Sequence, residues 1–351
     1  MARVTISDVA RRAGVSPTTV SFTFNRPWEL SPETVRRVLE TSRELGYAPN
    51  PHAKALLSSR SGVLGLLVPE SITDAFANPF YSCFVQGVGR VCNERELSMM
   101  IVSPIDESIG EAITRAPADG FVVVGLGEDH EDIAPLARRG VPFVVVDGTS
   151  EYAPSVNVED ERGAYEAAAF ILSHGHEDVL LMSFLKPERY RDDPYRDVGQ
   201  RRMAGYRRAF EEAGAGWEEG HVLDVPCSFE GGRRCMLELW RAGRRPTALI
   251  CMSDAAALGA LLAARELGLR VPEDLEVVGF DDIPAARISH PPLSTVRQPT
   301  VEKGAAAANL LVRAIEGEDV AQEHVVLPAT LVLRGSTRSK KGAPALRPGL
   351  P

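Results

Sequence analysis

The chain has 351 residues, of which 44% are hydrophobic and 25% are charged, so its composition is that of a globular protein with two or three domains. This composition excludes a collagen-like fibre, a coiled coil and a mostly disordered chain. The net charge of −9 is unevenly distributed, because residues 1–60 hold nine Lys or Arg against five Asp or Glu. The sequence therefore predicts a basic N-terminal module attached to an acidic body.

Signals for export, membrane insertion and metal binding are not visible in the sequence. The N-terminus lacks the apolar region of a secretory signal, and no apolar stretch reaches the roughly 18 residues of a membrane span. The five cysteines form no C-x-x-C pair, which is typical of reduced thiols. We therefore expect a cytoplasmic protein with no membrane partner, no metal and no cofactor. His174-Gly175-His176 is interpreted as a helix-end turn, with a metal site as the alternative.

Capping residues predict three helices near the N-terminus. Thr5 favours the start of the first helix, and Gly14 ends it. Ser16 followed by Pro17 starts the second, and the same device starts a third that stops at Gly46. Two short helices around a glycine turn, braced by a third, form a helix-turn-helix. A three-helix protein-interaction module is the alternative; the basic charge and the small polar residues that begin the second helix favour DNA.

Residues 5–21 and 45–50 together resemble the DNA-binding region of the lac-repressor (LacI/GalR) family of bacterial transcription regulators, and the resemblance continues to residue 335. It implies a hinge helix at about residues 50–58 that folds on operator DNA, with Leu56 as an apolar wedge in the minor groove. The family usually has Arg at the position of Phe22, and Arg can pair with guanine whereas Phe cannot, so no operator sequence is implied. The DNA contacts expected from this resemblance are Thr5, Ser16, Pro17, Thr18, Thr19, Ser21, Phe22, Asn25, Asn50, Ala53 and Leu56.

Short apolar runs alternate with helical stretches through the rest of the chain. Runs bounded by Gly or Pro are typical of buried parallel strands, and their alternation with helices predicts right-handed crossovers and doubly wound sheets. We therefore expect an α/β body of two lobes behind the helical headpiece. The predicted strands are residues 62–69, 98–102, 120–124, 142–146, 179–182, 248–251 and 275–280, and the predicted helices include 81–95, 163–173, 202–213 and 255–267.

A nucleotide-dependent enzyme is the main alternative for a doubly wound fold. Gly125-Leu126-Gly127 follows a predicted strand, but no third glycine completes the dinucleotide fingerprint. The sequence contains neither a Walker A motif nor a G-x-S-x-G nucleophile elbow. It therefore predicts a protein that is not an enzyme.

The resemblance implies that the body is an effector domain similar to periplasmic sugar-binding proteins, with the ligand in a cleft between the lobes. An Arg and carboxylates from opposite walls could clamp ligand hydroxyls while an aromatic ring covers its apolar face. Alternatively, Phe80 belongs to the core, Asp281 caps a turn and Arg202 pairs with a surface carboxylate. The effector contacts that the resemblance implies are Phe80, Tyr81, Asp160, Arg202, Cys227, Ser253 and Asp281.

Two of these positions depart from the family pattern. Ser253 replaces the usual Asn, which removes an amide that could hold two hydroxyls. Cys227 stands where relatives often have a stacking aromatic, so a sugar loses stacking area there unless Phe229 substitutes. Residues 186–200 are highly charged and lie next to Arg202, where they are candidates for shaping the pocket.

The predicted function is that of a ligand-responsive transcription regulator, with repression as the family's commonest mode. It would bind a pseudo-palindromic operator as a homodimer, since no tetramerising leucine heptad is present, and take a sugar-like effector. A ligand-binding protein whose N-terminal bundle recruits protein is the second hypothesis, and an enzyme on the same fold is the third. The expected segments are a DNA-binding domain (1–49), a hinge (50–60), an effector and dimerisation domain (61–335, with crossings near 162, 294 and 323) and a disordered tail (336–351).

Overall fold

The computed structural model describes residues 4–48, 60–104, 108–126, 133–148, 150–184 and 196–338. The chain divides into two compact units, Met1–Gly62 and Val63–Pro351. The first unit is helical, and the second is an α/β unit. The helices of the first unit are α1 (Ile6–Ala13), α2 (Pro17–Asn25) and α3 (Pro32–Leu45).

Local hydrogen bonds fix the helix ends of the first unit. The carboxylate of Asp8 accepts the backbone N–H of Thr5 at 3.0 Å, and Gly14 ends α1 in the left-handed conformation with a φ of 66°. Ser16 Oγ accepts the N–H of Thr19 at 3.0 Å and so caps α2. The predicted three-helix arrangement is confirmed. Its small core consists of Val9, Ala10, Ala13, Val20 and Val38.

Strands of the second unit form two sheets within the described residues. Sheet one contains β1 (Val63–Leu67), β2 (Ser98–Val102), β3 (Gly120–Val124), β4 (Phe143–Val146), β5 (Ser155–Val158) and β11 (His324–Leu327). Sheet two contains β6 (Val179–Phe184), β7 (Val222–Val225), β8 (Ala248–Cys251), β9 (Glu276–Asp281), β10 (Ser294–Arg297) and β12 (Thr330–Val332).

Strand order identifies both sheets as doubly wound. Sheet one has the order β11-β5-β4-β3-β1-β2, and its described pairs are parallel. Sheet two has the order β12-β10-β9-β8-β6-β7, with only the edge strand β12 antiparallel to its neighbour among the described pairs. The predicted α/β fold with two lobes is therefore confirmed. Lobe one is built on sheet one and lobe two on sheet two.

Helices connect the strands of each lobe. None of the helices in the described ranges is both long and apolar enough to cross a membrane. Lobe one has α4 (Ile72–Ala77), α5 (Pro79–Glu94), α6 (Ile109–Arg115), α7 (Ala134–Arg138) and α13 (Thr300–Glu316). Lobe two has α8 (Asp160–Leu172), α9 (Arg196–Glu212), α10 (Phe229–Arg241), α11 (Asp254–Glu266) and α12 (Pro284–Ile288).

Both faces of each sheet are buried. Leu66 and Leu67 of β1 belong to different apolar clusters, one on each face of sheet one. Leu180 and Leu181 of β6 are divided in the same way in sheet two. Successive side chains of a strand point to opposite faces, so burial on both faces explains the continuous apolar runs that predict these strands.

The chain passes between the lobes three times within the described residues. The first passage is at Glu159, between β5 and α8, close to the predicted residue 162. The second lies between β10 and α13 at residues 298–299, and the third between β11 and β12 at residues 328–329. The last two follow the predicted positions 294 and 323 by a few residues, because the chain leaves each lobe only after β10 or β11 has ended.

The end of the described chain belongs to lobe two. Ser336 is fully buried and donates its hydroxyl to the Val277 carbonyl at 2.6 Å, while the Ser294 N–H donates to Ser336 Oγ at 2.8 Å. Thr337 is also buried. The prediction of a disordered tail from residue 336 is therefore wrong for residues 336–338, because their polar groups form hydrogen bonds with lobe two. The remainder of the predicted tail lies outside the described residues.

Glycines allow α5 and α13 to pack with their backbones in contact. A Cβ on Gly87 would lie 1.9 Å from the carbonyl oxygen of Val301, and one on Gly304 would lie 2.3 Å from that of Phe84. Both positions require the absence of a side chain. This close approach holds α13 against lobe one and brings its buried Lys303 to the edge of the cavity described below.

Candidate functional site

The N-terminus of α2 forms an exposed polar surface on the first unit. Ser16, Pro17 and Thr18 are exposed, while Thr19 is half-buried with its hydroxyl 2.9 Å from Ser16 Oγ. The exposed helix N-terminus has the polarity that suits a phosphate or a base edge. Thr5, at the start of α1, is exposed as well.

The remaining candidate DNA contacts are less uniform. Ser21 and Phe22 are half-buried, and the Arg26 guanidinium lies 5.7 Å from the Phe22 ring centroid. Asn25 is exposed, but its amide donates to the Ser21 carbonyl at 3.0 Å, so it faces its own helix. The predicted contacts in the hinge, Asn50, Ala53 and Leu56, lie outside the described residues.

A cavity of about 40 Å³ lies where the carboxyl ends of strands from both sheets converge in the second unit. Ligands of open α/β sheets bind at this edge. A space of this size holds only a few water molecules. Of the predicted effector contacts, it is lined by Phe80, Tyr81, Arg202, Cys227, Ser253 and Asp281. It is also lined by Asn78, Val124, Gly125, Asp147, Phe184, Val198 and Gln298.

Arg202 is the buried cation of this cavity. Its Nε donates to Asp160 Oδ1 at 2.9 Å and its Nη1 to the Met252 carbonyl at 2.6 Å, while the Phe280 ring centroid lies 3.6 Å from the guanidinium. Burial alone would lower the pKa of Arg202, but Asp160 and Asp281 raise it overall. The residue is 3% exposed, so the alternative of a surface ion pair is wrong.

Asp160 does not line the cavity, unlike the other predicted effector contacts. It is 1% exposed, and its second oxygen accepts from Arg201 Nη2 at 2.9 Å. Both carboxylate oxygens are therefore occupied by guanidinium groups. The prediction that Asp160 contacts the ligand directly does not match this geometry. Asp160 starts α8, faces α9 and orients Arg202 without lining the cavity itself.

Asp281 brings an acidic group to the cavity from the end of β9. It is 5% exposed, and its backbone has an unusual φ of 127°, a strained conformation of the kind found at binding sites. Burial raises the pKa of Asp281 to about 6, although Arg202, Gln298 and Lys303 lower it. Burial and the nearby Asp281 also raise the pKa of Asp254, whose oxygens accept from two neighbouring groups of lobe two. The alternative that Asp281 simply caps a turn does not describe this buried position at the cavity.

A chain of hydrogen bonds that the sequence does not predict crosses the edge of the cavity. Lys303 Nζ donates to both oxygens of Asp147 at 2.7 and 2.9 Å and to Gln298 Oε1 at 2.5 Å. Gln298 Nε2 in turn donates to Asp281 Oδ1 at 2.5 Å. Asp147 belongs to lobe one and Asp281 to lobe two, so the chain links the lobes. The backbone of Asp147 is left-handed, with a φ of 59°. No pattern in the sequence reveals this conformation.

Aromatic and sulfur groups form the apolar part of the lining. Phe80 is 8% exposed and belongs to the core of lobe one as well as to the cavity, so both interpretations of it hold. Asn78 Nδ2 lies 3.1 Å from Cys227 Sγ and joins the two lobes. Burial and Asp281 raise the pKa of Cys227 to about 12, so the thiol is protonated. Phe229 is 40% exposed and outside the lining, whereas the unpredicted Phe184 lies within it.

Comparisons with known proteins agree with both units. Residues 5–50 match the family model of bacterial regulatory proteins of the lacI family, and residues 168–337 match a periplasmic binding protein-like domain. The chain is 32% identical over 345 residues to the HTH-type transcriptional regulator DegA of Bacillus subtilis (strain 168), covering 95% of this chain and 98% of that protein. The chain belongs to the LacI family of bacterial transcription regulators. This LacI-family chain is therefore a DNA-binding transcription regulator.

Solved structures of LacI-family proteins resemble this one along most of its length. A CelR–cellobiose complex is 32% identical with a TM-score of 0.68, covering 95% of this chain and all of that one. The lac repressor dimer bound to operator and the anti-inducer ONPF is 25% identical with a TM-score of 0.78, covering 96% and 100%. A LacI-family regulator from Enterococcus faecium with bound ribose is 28% identical with a TM-score of 0.66, covering 78% and 98%.

Proposed function

We propose that this LacI-family protein is a homodimeric repressor that binds a pseudo-palindromic operator. A saccharide that enters the cavity changes the affinity for the operator, either by releasing the DNA or by strengthening its binding. The observation that carries this proposal is the buried Arg202, oriented by Asp160, beside Asp281 and the ring of Phe80. An oriented guanidinium, a carboxylate and an aromatic face are the groups that recognise a polyhydroxylated ring. Because its DNA partner lies in the cytoplasm, the protein is expected there.

The hydrogen-bond pattern favours a neutral saccharide over an anion. The ammonium group of Lys303 is already engaged by Asp147 and Gln298, and Arg202 uses Nε and Nη1 within the protein. Within the described residues, the hydrogen bonds of Arg202 leave Nη2 and the second N–H of Nη1 to donate to a ligand. Asp281 offers an acceptor for hydroxyl donors and would repel an added negative charge. The cellobiose and ribose complexes of relatives support the same class of ligand.

Departures from the family pattern change how this saccharide can be hydrogen-bonded and stacked. Ser253 caps α11 by accepting the Ala256 N–H at 3.3 Å, so its hydroxyl is partly committed to the helix. The thiol of Cys227 offers no ring for stacking. Phe80 and Phe184 remain as the aromatic groups of the lining. We therefore favour a ligand that stacks on these two rings rather than on the segment at Cys227.

A thermal-shift screen of neutral sugars, sugar phosphates and purines tests this proposal. A neutral sugar should raise Tm of the wild-type protein, and Arg202→Ala should abolish the shift. Arg201→Ala is the matched control, because Arg201 also binds Asp160 but does not line the cavity. A sugar that stabilises the Arg202→Ala variant as strongly as the wild type would contradict the assignment of the cavity.

Turnover is the observation that distinguishes an enzyme from a regulator. We propose that the protein performs no chemistry on its ligand, in line with relatives that are named transcriptional regulators. The ligand identified by the screen should be recovered unchanged after prolonged incubation with the protein. Conversion of the ligand by the wild type but not by Arg202→Ala would support an enzyme instead.

A further inference from the structure

A second polar cluster lies at the edge of sheet two opposite to the cavity. Glu276 is the first residue of β9, whereas Asp281 of the cavity is the last, and the Glu276 side chain is fully buried. His174 and His176 precede β6 in a tight turn after α8, with Gly175 between them at a φ of 75°. The predicted helix-end turn is thus present. Its two imidazoles converge on the carboxylate of a residue about a hundred positions later.

The contacts around Glu276 are short and come from separate segments. His174 Nδ1 lies 2.9 Å from Oε2, and His176 Nε2 lies 3.0 Å from Oε1. The backbone N–H of Arg338 donates to Oε2 at 3.0 Å, and its Nε donates to Oε1. The side chains of His174 and His176 are only 9% and 5% exposed. Two imidazoles and a carboxylate are therefore held together away from bulk water.

We propose that His174, His176 and Glu276 form a binding site for a divalent transition metal ion of the zinc class. One imidazole nitrogen from each histidine and a carboxylate oxygen of Glu276 all lie within 4.8 Å of one another. Two imidazole nitrogens and a carboxylate, with water as the fourth ligand, are a common donor set for Zn²⁺. Zinc would replace the present contacts between these imidazole nitrogens and Glu276.

A supporting hydrogen bond orients His176 for this role. The Nδ1 of His176 lies 2.9 Å from the Thr247 hydroxyl, and that hydroxyl donates to the Asp178 carbonyl at 3.2 Å. Thr247 Oγ1 can therefore accept Nδ1–H, which leaves the Nε2 lone pair for a metal. Outer groups of this kind fix the tautomer of metal-bound histidines. The ring of Phe170 lies edge-on to the imidazole of His174, at 4.6 Å between centroids, and restrains it.

Arg338 is the cation that a metal ion would displace. Its guanidinium contacts Glu276 Oε1, and its Nη2 lies 3.0 Å from His176 Nε2, so it occupies the side from which an ion would bind both ligands. The side chain is 48% exposed, so it can turn away into solvent. Metal binding then exchanges a monovalent for a divalent cation against the same buried carboxylate. This competition predicts that removal of the Arg338 side chain strengthens metal binding.

Calorimetric titration of Zn²⁺ into the untagged, chelator-treated full-length protein tests the site. The wild type should bind one ion per chain, and Thr247→Val, which removes the supporting hydroxyl with little change of shape, should weaken binding about tenfold. Arg338→Ala should tighten binding, because it removes the competing cation, and this gain cannot result from misfolding. His176→Gln and Glu276→Gln should abolish binding, and His324→Ala, an exposed histidine of sheet one, should leave it unchanged.

Three results would overturn the proposal. The first is the absence of saturable binding to the wild type and to Arg338→Ala. The second is unchanged affinity in His176→Gln and Glu276→Gln variants that keep the wild-type circular dichroism spectrum. The third is weaker binding in Arg338→Ala, since that result would assign the guanidinium a supporting rather than a competing role. In each case the cluster would act solely as a hydrogen-bonded anchor for residues 336–338.

Discussion

The ammonium nitrogen of Lys303 lies 2.7 Å from a carboxylate oxygen of Asp147, and both residues are buried beside the cavity. Removing one partner of a buried ion pair leaves an uncompensated charge. We expect Lys303→Met to lower the free energy of unfolding by about 3–5 kcal/mol, measured by urea denaturation. Adding Asp147→Asn to this variant should recover part of the loss.

An exposed ion pair is the control for this prediction. Arg95 and Glu316 lie 3.7 Å apart, and both are largely exposed. Arg95→Met should change the free energy of unfolding by less than about 1 kcal/mol. Equal losses in Lys303→Met and Arg95→Met would contradict the importance of burial for the Lys303 pair.

The ion pair between Asp160 and Arg202 is expected to control effector affinity from outside the cavity. Asp160→Asn should weaken binding of the saccharide about tenfold, because a neutral amide holds the guanidinium less firmly. Arg202→Lys should also bind poorly, since a single ammonium group does not reproduce the planar fork with which Arg202 contacts Asp160 and the Met252 carbonyl. Isothermal titration calorimetry measures both effects. Full affinity in Asp160→Asn would limit this residue to a role in stability.

The raised pKa of Asp281 predicts a pH dependence of stability. Its folded-state pKa of about 6 exceeds the roughly 3.9 of an unfolded Asp, so the folded state binds the proton more tightly. The stabilisation that results from this tighter proton binding is fully present below pH about 4 and is lost as the pH rises through 6. Asp281→Asn, which does not titrate, should therefore gain on the order of 2 kcal/mol relative to the wild type between pH 4 and 7.5.

Urea denaturation at these two pH values measures this difference. The exposed Asp224 provides the control variant, Asp224→Asn, for which no such change relative to the wild type is expected. A free-energy difference between Asp281→Asn and the wild type that is the same at both pH values would contradict the raised pKa.

Two serines cap helices of the first unit in the same way. Variants of the two therefore distinguish an effect on folding from an effect on DNA contact. Ser16 accepts the N–H of Thr19 at 3.0 Å, and Ser31 accepts that of Thr34 at 3.2 Å. Ser16→Ala and Ser31→Ala should each destabilise the unit by about 1 kcal/mol, seen in thermal unfolding. Only Ser16→Ala should also weaken operator binding in fluorescence anisotropy. Equal weakening by both variants would show that the loss arises from folding alone.

Sequence patterns predict those parts of the fold that depend on local chemistry or on burial of both faces. Ser16, Pro17 and Gly14 determine helix ends through their own backbone preferences, and the structure confirms the ends they predict. Central strands such as β3 and β8 are apolar throughout and are predicted to the residue. Five strands, β5, β7, β10, β11 and β12, are not predicted, because each is short and most of them contain polar residues that are typical of a loop.

The cavity is predictable only in part, because its chemistry depends on contacts between distant residues. The family resemblance identifies Arg202 and Asp281, but it does not reveal that Asp160 is fully occupied by Arg201 and Arg202. Lys303 lies near the start of α13, and its partner Asp147 is separated from it by 156 positions. The charge on a helix face shows that a partner is needed without identifying that partner.

The central claim is that one chain couples operator binding to occupation of the cavity. Fluorescence anisotropy with an operator selected from random DNA, with and without the saccharide found by thermal shift, tests it most directly. We predict a change in operator Kd of at least about tenfold on adding the saccharide, which Arg202→Ala abolishes while leaving ligand-free operator binding intact. A saccharide that binds in the cavity yet leaves the operator Kd unchanged would contradict the account.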